Sequence, residues 1–144
     1  MSISKTSYRE NIAKNIVSEL RELKSVRFVT REVFDPSELS DAQVPAVLVL
    51  SGSERKTDIS RASRQGTVEF ILTGFVKGKF LDTARNKLLD DIETKLYEDT
   101  KRNGFASDTV ITEVNTDEGV SFPLGAVQII VQVEYIHPKG DLDK

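Results

Sequence analysis

Apolar side chains recur at helical spacing near the start of the chain. Tyr8, Ile12, Ile16, Leu20 and Leu23 stand three or four residues apart, and Ala13 and Val17 widen the stripe. Charged residues (Arg9, Glu10, Lys14, Glu19, Arg21, Glu22) fill the other faces, so the spacing predicts an amphipathic helix from about Ser7 to Lys24. Ser7 and Glu10 have the separation of a capping box, in which Ser7 accepts from the Glu10 backbone and Glu10 reaches back. A second stripe, Leu81, Ala84, Leu88, Ile92 and Leu96, predicts a helix from about Leu81 to Lys101. Asn103-Gly104 ends it, with Gly104 as a left-handed cap and Phe105 as an apolar clasp.

Other stretches read with a period of two. Arg27 to Phe34 is rich in β-branched and aromatic residues and reads as a strand, which Asp35-Pro36 stops. Asp35 can cap a short helical turn reaching Leu39. Val44 to Leu50 is almost continuously apolar, as a strand buried on both faces would be. Thr67 to Val76 alternates Val68, Phe70, Leu72 and Val76 against Glu69, Ile71, Thr73 and Phe75. Gly74 marks a bulge or a close backbone approach. Thr109 to Val114 is a short strand, and Asn115 to Gly119 a turn. The last strand sets Val127, Ile129, Val131, Val133 and Tyr135 against Gln128, Ile130, Gln132, Glu134 and Ile136, ending at His137-Pro138.

Two amphipathic helices and about five strands make a single α+β domain over residues 1–144. The expected sheet is mixed but mostly antiparallel, because short turns join most strands, with both helices packed on one face. Residues 1–6 are expected to form an N-terminal arm and residues 138–144 a frayed, charged tail. The face away from the helices carries Ile71, Phe75, Ile130 and Ile136 among polar neighbours. Such a face is too apolar for water and too polar for a core, and suits contact with another subunit.

Residues 51–66 differ from all this. They are polar, lack a clear period, and hold Arg55, Lys56, Arg61 and Arg64 against Glu54 and Asp58. The stretch reads as a long loop, which inside a compact domain is functional or disordered. Three uses are open to it: a solvated connector, a phosphate contact, or a subunit contact ordered on assembly.

Composition narrows these uses. The net charge of −3 argues against a general nucleic-acid binder and favours assembly for the basic stretch. With no cysteine, thiolate zinc sites, iron–sulfur clusters and cysteine nucleophiles are excluded. His137 is the single histidine, without a partner at telling spacing, and reads as structural or solvent-exposed. Asp90, Asp91 and Glu93 read as a solvated helix flank with Lys87 one turn before Asp91, not as a metal or acid–base pair. No glycine-rich phosphate motif is present. No apolar run approaches the ~20 residues of a membrane span, and the opening residues lack the apolar stretch of a signal peptide. The expectation is a protein that is not an enzyme and uses no cofactor or metal.

The order of these pieces resembles the tail terminator proteins of tailed bacteriophages, the group around minor tail protein U. The resemblance spans about Ser7 to Pro138. It rests on the N-terminal helix, the Pro-Ser-Glu-Leu turn (Pro36 to Leu39), the Val-Pro-Ala-Val-Leu-Val-Leu strand (Val44 to Leu50) and the polar arginine-containing stretch. The Thr67–Val76 strand, the leucine-rich helix and the closing strand with Val133-Glu134-Tyr135 complete it. The resemblance implies a small structural subunit, forming a hexameric ring on the last ring of the tail tube. That ring would sit at the head-proximal end of the virion tail, stop tube polymerisation, and offer a joining surface to the head or neck. Implied partners are further copies of the chain, the tail tube protein and a neck or head-completion protein. DNA would pass through without specific binding, with no membrane involved and with assembly in the host cytoplasm. Another neck or head–tail joining ring, or a monomeric binding module using the outer sheet face, are the alternative readings. Candidate contact residues are Arg55, Lys56, Arg61, Arg64, Ile71, Phe75, Ile130 and Ile136.

Overall fold

A computed structural model describes residues 7–118 and 121–139, so the expected arm (1–6) and most of the expected tail lie outside the described residues. Helix α1 spans Tyr8–Arg21, and its Ser7 cap accepts from the Glu10 N–H at 3.2 Å. Glu10 does not complete the box. Its carboxylate instead receives two bonds from Arg31, at 2.6 and 2.9 Å, a bidentate clamp across the chain. Strand β1 is only Phe28–Thr30, shorter than its composition predicts. After it the chain turns over the sheet as a strap with two short 3₁₀ turns, Pro36–Glu38 and Asp41–Gln43. As expected, Asp35 caps the first, accepting from the Ser37 N–H at 3.0 Å.

β2 (Ala46–Asp58) and β3 (Ser63–Lys77) follow, then α2 (Leu81–Tyr97), β4 (Asp108–Thr116) and β5 (Leu124–Pro138). They form one five-stranded sheet in the order β1-β2-β3-β5-β4. The β1–β2 pair is parallel and every other pair antiparallel. This is the mixed α+β architecture the patterning predicts. Helix α2 stops four residues early, and Gly104, at φ +90°, closes the turn beyond it rather than the helix itself.

The expected long loop at 51–66 is not a loop. Residues 51–58 continue β2 and residues 63–66 open β3, so the stretch forms the two arms of a hairpin closed by Ile59–Ala62. At the tip, Ser60 Oγ accepts from the backbone N–H groups of Ala62 and Ser63. Apolar alternation fails as a signal here because charged side chains line both faces. The ladder holds the arms by backbone pairing, which composition does not display.

Both helices cover one sheet face. Ile12, Ile16 and Leu20 of α1 and Leu88, Ile92 and Leu96 of α2 pack into one buried cluster with Val47, Val49, Val68, Phe70, Leu72, Ile129, Val131 and Val133; Leu23 and Phe105 sit at its margin. At Gly74 α2 presses close to the sheet. A Cβ there would lie 2.5 Å from Leu88 Cδ2, so the expected close approach is to the helix. On the other face the strap buries a smaller cluster, with Leu39 against Ala46, Leu48 and Phe75, edged by Phe28, Phe34 and Val44. No described helix is long and apolar enough to cross a membrane.

Candidate assembly surface

The strap covers only part of the outer face. Beyond it, the register brings side chains into rows across the strands. Leu50, Ile71, Ile130 and Glu113 stand abreast; next come Glu69, Gln132 and Val110, then Arg55, Thr67, Glu134 and Asp108, and last Thr57, Gln65 and Ile136. A shallow depression lies among Ser53, Arg55, Thr67, Glu69 and Gln132. The result is a mixed surface: an apolar pair, Ile71 and Ile130, with Ile136 47% exposed toward the hairpin tip.

Of the expected contact residues, Arg55, Ile71, Ile130 and Ile136 share this open face, and exposed Arg61 stands at the hairpin tip. Phe75 does not join them. Although it points outward, it is only 7% exposed, because Phe34 of the strap packs edge-on against it with ring centres 5.5 Å apart. Lys56 and Arg64 point to the helix side. Arg64 pairs with Asp58 at 2.8 Å within the hairpin. Arg55 and Arg61 have no ion pair among the described residues, which leaves them as the free cations of the hairpin.

Lys56 belongs to a partly buried polar network that takes the place of apolar core under the hairpin. The Glu54 side chain, 8% exposed, receives Arg9 Nη1 at 2.9 Å, Lys56 Nζ at 3.3 Å and the Tyr135 hydroxyl. Burial, and then the Glu54 carboxylate, push the Tyr135 phenol up from its ordinary value, so it stays a donor. Gly66 makes room for this arrangement. A Cβ there would lie 2.7 Å from the Tyr135 ring and 2.9 Å from Glu54 Oε2.

His137 is neither exposed nor without partners: it is 2% exposed and stacks on Tyr135, which stacks on Tyr8 of α1. Its Nε2 lies 3.1 Å from Lys56 Nζ and its Nδ1 2.8 Å from the Pro138 carbonyl. Both ring nitrogens therefore have a partner within hydrogen-bond distance. The spacing gave no hint of this, because Lys56 and Glu54 arrive from a stretch read as loop.

Two further buried cations escaped the sequence. Arg102, fully buried at φ +50°, donates to Glu19 Oε2 at 2.6 Å and to the carbonyls of Leu96 in the last turn of α2 and of Asp99 just beyond it. Burial, partly offset by the Arg102 charge, raises Glu19 from its ordinary value. Arg85 bridges α2 to Asp117 at 3.2 Å. The acidic flank of α2 is as expected at one point: Asp91 pairs with Lys87 at 2.9 Å.

No family model matches the sequence, and neither does any curated protein sequence. Among solved structures, a chain of a particle titled "Virion of native gene transfer agent (GTA) particle" aligns with a TM-score of 0.47 and 6% identity. The alignment covers 85% of this chain and 92% of that one. A likeness this distant leaves function to be argued from the residues.

Proposed function

We propose that the chain is a structural subunit of a tailed-phage-type particle and works as a tail terminator. Copies of it would form a hexameric ring that caps the tail tube, halts its polymerisation and presents the joining surface for the head or neck. The sequence resemblance supplies the role, and one structural observation carries it. The half of the outer face that the strap leaves open sets Ile71 and Ile130 side by side within a rim of Arg55, Glu69, Glu134 and Asp108. An apolar centre with a charged rim is the anatomy of a protein contact. The role needs no catalysis.

The second reading, a monomeric module that binds a partner on the same face, is separated by mass and by tube length. The protein is examined by light scattering and negative stain, alone and with polymerising tube protein of the same particle. Six-fold rings, or tubes capped and shortened in proportion to added protein, are expected. A monomer at millimolar concentration that leaves tube length unchanged would overturn the terminator reading.

A further inference from the structure

Among the described residues, the sheet has two edges that no further strand covers along much of their length. β1 pairs with β2 only at Ala46, Val47 and Leu48, and among the described residues no strand flanks β2 on that side from Val49 to Asp58. At the far side β4 pairs, among the described residues, with β5 alone, along Asp108–Thr116. Open strand edges present unmet backbone donors and acceptors and invite another strand. Each edge is interrupted once: β2 by a bulge between Ser51 and Glu54, where Arg9 donates to the Gly52 carbonyl at 2.7 Å. The β4 bulge lies between Ile111 and Glu113, where the Ile111 N–H is taken by the Tyr97 hydroxyl at 2.8 Å. Glu54–Asp58 on one edge and most of β4 on the other have no strand partner among the described residues.

The charges on these two edges are opposite and lie on the same face. Arg55 projects to the outer face of β2 and has no ion pair among the described residues. Asp108 and Glu113 project to the outer face of β4, likewise without an ion pair there, and no lysine or arginine lies between Asp108 and Glu118. Joining β2 to β2 would bring arginines together, and joining β4 to β4 would bring carboxylates together. Like charges directly opposite are unfavourable in a ladder. Only β2 against β4 matches.

We infer that the free edge of β2 pairs with the β4 edge of a second copy, so that the sheet continues from subunit to subunit. Arg55 of one copy then lies against the outer-face carboxylates Asp108 and Glu113 of the next. The inference rests on the ring reading above and names its contact. The direction follows from the topology. β2 and β5 run one way and β3 and β4 the other, so copies placed side by side with the same face outward meet antiparallel. Such a head-to-tail contact uses different surfaces on the two copies, the type that closes rings.

The chain has no cysteine, so introduced pairs report cleanly. Thr57→Cys is combined in turn with Asp108→Cys, Val110→Cys and Asn115→Cys, all outer-face positions, and oxidised alone and on tubes of the tube protein. At least one double variant should give a covalent ladder ending at ring size on a non-reducing gel, while every single variant stays a monomer band. In parallel, Arg55→Glu should lower the assembled fraction at least tenfold with the fold intact by circular dichroism, and adding Glu113→Lys should restore it. If rings form but no double variant ladders and Arg55→Glu assembles like wild type, the edge pairing is wrong and the ring reading stands. Cross-linking by Thr57→Cys alone would mean a symmetric β2 contact and would also overturn it. If wild type is monomeric both alone and on tubes, the ring reading itself falls and takes the edge pairing with it.

Discussion

The two ends of the sheet are built from the same antiparallel ladder and stabilised by different physics. Around Leu48, Leu72 and Ile129 both faces are dry: α1 and α2 cover one and the strap the other. Toward the hairpin tip, the helix-side face holds Glu54, Lys56, Tyr135 and His137, with Arg9 and Tyr8 closing over them, and the outer face is open. Fully burying one large apolar side chain is worth about 1.5–3 kcal/mol, whereas a typical hydrogen bond nets about 0.5–1.5. The strap end is therefore the stable anchor. The hairpin end should open first in hydrogen exchange, where it remains free to accept a neighbour.

The largest test of this contrast lies at the dry end. Ile92, fully buried between α2 and the sheet, should lose about 2–5 kcal/mol on substitution to alanine, read from the denaturant midpoint. A loss below about half a kcal/mol would put α2 outside the core, at odds with its packing.

At the polar end a change of one atom should do comparable local damage with less global cost. Glu54→Gln keeps the volume but removes the negative charge that Arg9 and Lys56 share, leaving Lys56 against His137 uncompensated. About 1–3 kcal/mol of stability should go, the usual cost of stranding a largely buried polar partner. Amides of 54–58 and 63–67 should lose protection while those of Phe70 and Ile129 keep theirs. Equal loss in both sets would mean that the two ends unfold as one unit.

How legible these ends were from sequence follows the same division. Ile12, Ile16 and Leu20, Leu88 and Ile92, and the alternation from Val127 to Tyr135 announced the helices, the closing strand and the face they share, because apolar burial leaves a period in the sequence. The hairpin left none: its inward positions Glu54, Lys56 and Asp58 are charged, and what satisfies the first two lies far along the chain in Arg9, Tyr135 and His137. Ile71, Ile130 and Ile136 were readable as outward-facing. Phe75 was misread because nothing local to it records that Phe34 folds back over it. Arg102 was invisible for a like reason, since Glu19 is remote in sequence. The edges were legible only once strand order was known, because β4 ends the sheet by topology and not by composition.

The smallest expected effect concerns the clamp joining the two regions. Arg31, where the strap begins, grips Glu10 in the first turn of α1, next to Arg9, which serves the hairpin network. The hydrogen bond from Arg31 outweighs desolvation and, with its charge, holds the Glu10 carboxyl below its ordinary value. A carboxylate depressed in the folded state binds protons more weakly there than in the unfolded chain. Its contribution is complete above the ordinary carboxylate value and is lost as pH falls through the lower folded value. Both partners are about a third exposed, so solvent screens the pair and the contribution is within the ~0–1 kcal/mol usual for surface ion pairs. Glu10→Gln should therefore lie slightly below wild type in stability at neutral pH, and the two curves should merge in strong acid, where wild-type Glu10 is also neutral. The gap should shrink in high salt as well. A difference that persists unchanged below the carboxylate range would assign the role of Glu10 to packing in the first turn of α1 instead of to the charge that ties the strap to it.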